Sequence, residues 1–224
     1  MPELQWAAIF DFDGVIADTI YHHEECWREV AIERGTTLTR QQFLDGNGTR
    51  NYNFVVEILK WTSDPKEVEK IVQRKEALFW DMVKKVPINP VAGIEDFLKL
   101  LKKNNIPCAL GSSSIRKNID ILFRTLPLEK YFSAIVTGED VEFGKPNPEV
   151  FVKAALKLGI LPKKCIVFED ATLGIEAGTK AGAKTIALTT TFSKDVFEKS
   201  PFPPNKIIHS FDEISFCELE NWFS

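Results

Sequence analysis

Residues 7–19, AAIFDFDGVIADT, set two aspartates, Asp11 and Asp13, on either side of one phenylalanine and directly before Gly14. Other short apolar runs also end in reactive side chains. CALG runs into Ser112, SAIVTGE is soon followed by Lys145, and CIVFED closes on Glu169 and Asp170. Carboxylates gathered at one place cannot all stay ionised unaided: a pair at about 4 Å repels by about 1 kcal/mol in water and about 4 kcal/mol at an effective dielectric of 20. Protons or a cation must relieve them. Oxygen ligands with no histidine or cysteine nearby favour a hard ion, Mg²⁺ above all. A lysine and a hydroxyl beside such an ion form a receptor for phosphate. Taken singly, Asp11 and Asp13 read as strand-end solvation, Glu169 and Asp170 as a helix cap, and Lys145 as a surface lysine. Their joint recurrence at strand ends argues for a site.

The elements that must position these groups follow from the hydrophobic pattern. Strands are predicted at 7–11, 107–114, 133–139, 165–170, 184–190 and 206–211, with helices over 93–105, 115–126, 146–159 and 171–183. Such alternation predicts an α/β fold, a Rossmann-like parallel sheet with helices on both faces. In an open parallel sheet, ligands gather at the carboxyl ends of the strands, near the point where strand order reverses. The polar groups should therefore converge on one edge. Residues 18–87 break the pattern with consecutive helices at 18–35, 39–46, 51–61 and 64–86, the last capped by Asp64 with Pro65 in its first turn. Trp27, Trp61 and Trp80 fall in this block and predict a small core of its own. The organisation expected is an α/β core of residues 1–17 and 88–224 interrupted by an inserted α-helical cap over 18–87.

Composition narrows the classes of function. Hydrophobic residues make up 44% and charged ones 27% of 224 residues, the balance of a folded globular chain. A net charge of −4 gives no electrostatic reason to expect nucleic acid or an anionic membrane. No apolar stretch is long enough to span a bilayer, and the N-terminus lacks the basic start of a signal peptide. Cys26, Cys108, Cys165 and Cys217 are far apart with no C-x-x-C pair, which reads as thiols of a reducing cytosol. A cytoplasmic protein is expected, a monomer or a homodimer.

DFDGVIADT, the serine of ALGSSS, the lysine of GKPNPEVF and the acidic pair of VFEDATLGIEAGTKAGA together resemble, in order, the four motifs of the haloacid dehalogenase superfamily. The resemblance covers nearly the whole chain. A helical insert directly after the first motif resembles the C1-type cap of the subfamily that includes β-phosphoglucomutase and many sugar-phosphate phosphatases. The resemblance implies that Asp11 is a nucleophile forming an aspartyl-phosphate and that Asp13 is the general acid and base. It implies that Mg²⁺ is held by Asp11, the backbone carbonyl of Asp13, Glu169 and Asp170. Ser112, the backbone amide of Ser113 and Lys145 would grip the phosphoryl oxygens, with Ser114 also among the substrate-binding residues. A cis peptide bond between Lys145 and Pro146 is a further expectation.

Asp13 selects among the superfamily's reactions, because dehalogenases have no leaving oxygen to protonate and lack this acid. Thr19, His23, Arg50 and Lys75 fall where β-phosphoglucomutases carry residues that serve the sugar phosphate. His22 and His23 are adjacent, so helix register could exchange them. Lys75 lies in a charged helix where a solvated side chain is the default. His209 reads as structural. The expected function is a Mg²⁺-dependent phosphatase acting on a small phosphorylated metabolite, most simply a sugar phosphate. The alternatives are a β-phosphoglucomutase-type mutase and a non-catalytic module that binds a phosphorylated ligand.

Overall fold

The computed structural model describes residues 6–223. The N-terminal start from which a signal peptide was discounted, and the outer limits of the core, fall partly on residues 1–5 and Ser224, outside the described residues. Six strands build one parallel sheet: β1 (Ala7–Phe10), β2 (Cys108–Gly111), β3 (Phe132–Val136), β4 (Cys165–Glu169), β5 (Lys184–Leu188) and β6 (Lys206–Ile208), in the order β3-β2-β1-β4-β5-β6. Strand order reverses between β1 and β4, where Ile9 faces Val167 and Phe10 faces Phe168. β1, β2 and β4 are buried throughout, as near-continuous apolar runs in a parallel sheet should be. Alternate residues serve opposite faces. Ala8 and Phe10 enter one core cluster, in which Phe10 stacks on Phe168 at 4.7 Å, while Ala7 and Ile9 enter another beneath Phe151.

The helices are α1 (Ile20–Glu33), α2 (Arg40–Asp45), α3 (Asn51–Asn53), α4 (Pro65–Val83), α5 (Ile94–Lys103), α6 (Arg116–Thr125), α7 (Glu149–Lys157), α8 (Thr172–Lys180), α9 (Lys194–Glu198) and α10 (Phe216–Asn221). The apolar stripe of α5, with Phe97, Leu98 and Leu101 buried, lies against the larger core cluster. Asp64 caps α4 by accepting from the Lys66 amide, and Pro65 opens the helix, as expected.

Helices α1–α4 enclose a separate cluster built on Trp27, Val30, Phe43, Phe54 and Ile71, with Trp61 packed against it. Trp80 departs from expectation. It packs on the sheet's own core with Phe79, Met82 and Val83, because the last turns of α4 descend onto that core. The helix expected over 51–61 is also modified: α3 is a single turn that passes into a π-helical stretch, Phe54–Ile58. His209 is exposed on the surface and serves structure through a hydrogen bond with Thr189 Oγ1 at 3.0 Å. Two crossings link the helical block to the sheet, and they run side by side. The Asp18 amide donates to Asn89 O at 2.9 Å and the Val91 amide to Ile16 O at 3.0 Å. Among the described residues no helix is long and apolar enough to cross a membrane.

Candidate active site

The ladder of the sheet extends one residue past its central strands and so fixes the first acid. The Asp11 amide donates to Phe168 O at 2.9 Å, and the Ser112 amide donates to Val136 O at 3.0 Å. Asp11 thus leaves β1 beside the end of β4, at the reversal of strand order. Gly14 then turns the chain with φ +75°, and a β-carbon there would collide with the carboxylate of Asp170. Thr190 Oγ1 donates to Gly14 O at 2.6 Å and holds the turn.

Asp11, Glu169 and Asp170 form a buried cluster, each offering a carboxylate oxygen within 4.8 Å of the others. Lys145 lies against it, its Nζ donating to Asp11 Oδ1 at 2.6 Å and to Glu169 Oε1 at 2.5 Å, 4.8 Å from the centre of the Phe151 ring. The peptide bond between Lys145 and Pro146 is cis, as expected. Glu169 Oε2 accepts from the amides of Asp170 and Ala171, both at 2.9 Å. Asp170 Oδ2 accepts from Thr191 Oγ1 and, at 3.5 Å, from Asn47 Nδ2 in the helical block.

Three carboxylates against one ammonium leave an excess of buried negative charge, and the acids respond. Burial pushes Asp11 up to about 7; Lys145 pulls the other way, while Glu169 and Asp13 add to the rise. Burial, then the charges of Glu169 and Asp11, raise Asp170 well above the usual carboxylate range. Burial opposes the charge on Lys145, but Asp11 and Glu169 outweigh it and hold the ammonium above its ordinary value. An all-oxygen donor set short of positive charge fits a hard divalent cation, Mg²⁺ in particular.

Asp13 stands apart from that cluster. Its Oδ1 accepts from Thr19 Oγ1 at 2.6 Å and His23 Nε2 at 3.0 Å, and its Oδ2 from Ser114 Oγ at 2.5 Å. Burial works against its charge, yet the neighbouring His23 and these three donors keep the carboxyl well below its usual range. His23 faces Asp13 and stacks on Phe79 at 4.4 Å, whereas His22 turns to Val86 O at 3.1 Å.

Asp11, Asp13, Asp170, Ser112, Ser113 and Ser114 line one side of a cavity of about 70 Å³. The other side comes from α1–α4 and includes His23, Trp27, Asn47, Asn51, Lys75 and Glu76. Lys75 corrects the expectation of a solvated side chain. It is 1% exposed, donates to His23 Nδ1 and Glu76 Oε1, both at 2.9 Å, and lies over the ring of Phe79 at 5.2 Å. A lysine ammonium only donates, so His23 Nδ1 accepts and Nε2–H points to Asp13.

Three residues expected to bind substrate make contacts within the protein. Thr19 is fully buried and orients Asp13 instead of lining the cavity. Arg50 is turned outward, its Nη1 donating to Val141 O at 3.1 Å and its Nη2 to Glu142 O at 2.9 Å, where it lines a groove shared with Ile115 and Glu139. Ser114 lines the cavity, but its hydroxyl is engaged by Asp13. The side chain of Ser113 reaches across to Gly48 O at 2.6 Å and ties the two walls together. Asn47, Glu76, Asn118 and Thr191 escaped the sequence reading, since each acts through a partner distant in sequence or, for Glu76, through an adjacent lysine that reads as solvated.

Comparison with known proteins identifies the family. Residues 8–188 match the family described as haloacid dehalogenase-like hydrolase. The chain is 31% identical, over 95% of its length, to a 5-amino-6-(5-phospho-D-ribitylamino)uracil phosphatase of Arabidopsis thaliana, and spans 56% of that protein. It is 32% identical over 80% of its length to a phosphorylated carbohydrates phosphatase of Thermotoga maritima, spanning 83% of it. Among solved structures, a β-phosphoglucomutase from Clostridium difficile superposes with a TM-score of 0.85 at 25% identity, covering 97% of this chain and 96% of its own.

Proposed function

The chain belongs to the haloacid dehalogenase-like hydrolase family, and from that premise we propose that it is a Mg²⁺-dependent phosphatase transferring a phosphoryl group from a small phosphorylated metabolite, most simply a sugar phosphate, to water. One observation carries the reading: Asp11 and Asp13 open on the same cavity in opposite electrostatic settings. Binding alone needs neither a strand-end nucleophile nor an adjacent acid with three donors of its own.

In this reading Asp11 attacks phosphorus and the ester P–O bond breaks, giving an aspartyl-phosphate. Asp11, the backbone carbonyl of Asp13, Glu169 and Asp170 would hold Mg²⁺, which would supply the positive charge against which a carboxylate can approach a phosphate dianion. Lys145, donating to Asp11 in the resting site, and Ser112 with the Ser113 amide bind the phosphoryl oxygens. The incoming dianion raises the proton affinity of Asp13, which then gives its proton to the leaving oxygen. That transfer leaves Asp13 as the carboxylate, which Thr19, His23 and Ser114 favour. It takes a proton from water as the water oxygen bonds to phosphorus and the bond from phosphorus to Asp11 breaks, freeing phosphate and restoring the Asp11 carboxylate. Residues 18–87 serve as a cap that closes over the core on hinges near 14–18 and 86–91 and excludes bulk water.

A second reading, a phosphomutase of the β-phosphoglucomutase type, is favoured by the placement of His23 and Lys75 in the cavity wall. The assay that separates the two supplies β-glucose 1-phosphate with a trace of glucose 1,6-bisphosphate and follows glucose 6-phosphate and free phosphate together. A parallel panel of sugar phosphates should release phosphate with Mg²⁺. Isomer without phosphate would overturn the phosphatase reading in favour of the mutase.

A further inference from the structure

The half of the cavity that would receive the leaving group is electrically neutral. Within the wall supplied by α1–α4, Lys75 and Glu76 are the charged residues, and they face each other at 2.9 Å with both side chains nearly fully buried. Neither is free to turn. Lys75 also donates to His23 Nδ1, while Glu76 Oε1 accepts from Asn51 Nδ2 at 2.6 Å and its Oε2 from Asn118 Nδ2 at 2.7 Å. The guanidiniums beside the walls in sequence are committed elsewhere: Arg28 is paired with Glu24 and Glu25, and Arg74 with Glu33. Arg50 holds the carbonyls of Val141 and Glu142, and Arg116, just past the serine run, is paired with Asp120 and Glu129. The rest of this wall is an apolar face of Ile20, Trp27, Phe43 and Phe54 beside the uncharged polar groups of Asn47 and Thr49.

From this we infer that the site takes substrates bearing a single phosphate on an uncharged, hydroxyl-rich remainder and refuses bisphosphates, with Glu76 the specificity-determining residue; the inference rests on the phosphatase reading for the place of the first phosphate. A second phosphate would leave water for a chamber bordered by the carboxylates of Asp13 and Glu76 and meet no uncompensated cation. Hydroxyls face no such penalty, since the carboxylate, amide and hydroxyl groups of the wall accept and donate to them. Aromatic faces suit the C–H side of a sugar.

The test compares initial rates of phosphate release by the Mg²⁺-loaded enzyme from fructose 1-phosphate, fructose 6-phosphate and glucose 6-phosphate against fructose 1,6-bisphosphate and glucose 1,6-bisphosphate. The expected kcat/KM for each bisphosphate lies at least about tenfold below that of the best monophosphate, mostly through KM. Equal or faster turnover of a bisphosphate overturns the inference. Glu76→Gln, which leaves the charge of Lys75 uncompensated, should shrink that ratio at least about threefold; a folded variant with an unchanged ratio removes Glu76 from the role. Should the variant fail to fold, the wild-type comparison still decides on selectivity. Calorimetric binding of the same compounds to Asp11→Asn with Mg²⁺ separates the two levels. Silence of every sugar phosphate in turnover removes the phosphatase reading, while the order of affinities upholds or overturns the charge selectivity by itself.

Discussion

Two carboxylates, one residue apart from adjacency, are held in unlike states by what surrounds them. Asp11 sits among other acids, and Asp13 among donors. Asp11→Asn should keep the fold and lose phosphate release by several orders of magnitude, because an amide is a poor nucleophile; near-normal turnover refutes the assignment. Asp13→Ala should depend on the leaving group. Hydrolysis of alkyl phosphates collapses, whereas with a nitrophenyl ester, whose leaving oxygen needs no proton, the first step survives and aspartyl-phosphate accumulates, visible by mass spectrometry after acid quench. The metal should be linked to pH. In the metal-free protein burial lifts Asp11 from 3.8 to about 7, so its contribution to stability is present below the ordinary carboxylate range and is lost as pH rises through about 7. A cation that needs the carboxylate must displace that proton. Mg²⁺ affinity should therefore climb between about pH 6 and 8, with proton release on binding that calorimetry in buffers of different ionisation heat detects. At this scale the sequence was legible where a side chain follows a strand, as with Asp11, Ser112 and Glu169. It misled where burial reverses a residue's ordinary habit: adjacent Lys75 and Glu76 look like a solvated helix face, yet each is the other's counter-ion in a dry wall.

The elements explain why these side chains arrive together. Parallel pairing of β1 with β4 brings Asp11 beside Glu169, and the turn at Gly14 leaves room for Asp170. Gly14→Ala should cost about 1–2 kcal/mol for the left-handed backbone alone, and displacement of the Asp170 carboxylate should weaken Mg²⁺ binding as well. A variant with normal metal affinity would show that the close approach is immaterial. Between the layers, Asn118 of α6 donates to Glu76 and accepts from Trp80 Nε1 at 2.7 Å, joining α4 to the sheet's own helix. Asn118→Leu leaves a buried carboxylate oxygen without its partner, about 1–3 kcal/mol, and removes the partner of a half-buried indole N–H, read as a lowered thermal midpoint. The strands were readable as short apolar runs ending in polar or glycine residues, and the long helices because a period of about 3.6 persists over enough residues to register. The π-helical stretch at Phe54–Ile58 and the short α9 and α10 were not, since five or six residues carry too little of any period. The descent of α4 onto the main core was also hidden, for apolar spacing tells which face of a helix is buried and not which neighbour buries it.

Across the whole molecule, the proposed closure would be a balance among the contacts that join the helical block to the core. The helical block meets the core through Asp13 with Thr19 and His23, Ser113 with Gly48, Asn47 with Asp170, Arg50 with two carbonyls, and Asn118 with Glu76 and Trp80, all polar, while Phe79, Trp80, Met82 and Val83 supply apolar contact at one end. Its own cluster around Trp27 and Phe54 would let it move as a unit. Rotation must then be absorbed where the chain crosses twice, and there the crossings are held to each other by single backbone bonds, Asp18 to Asn89 and Val91 to Ile16. Such bonds open at a free energy far below that of global unfolding, whereas the amides of β1 are buried on both faces and open only with the sheet. Hydrogen exchange should show this order: the Asp18 and Val91 amides exchange well ahead of Ile9 in the free enzyme. Adding Mg²⁺ with tungstate as a phosphate mimic, which favours the closed arrangement, should slow the crossing amides and leave Ile9 unchanged. If the crossings exchange as slowly as β1 and ignore the mimic, the block is a fixed roof, and substrate must enter by way of side-chain motion alone.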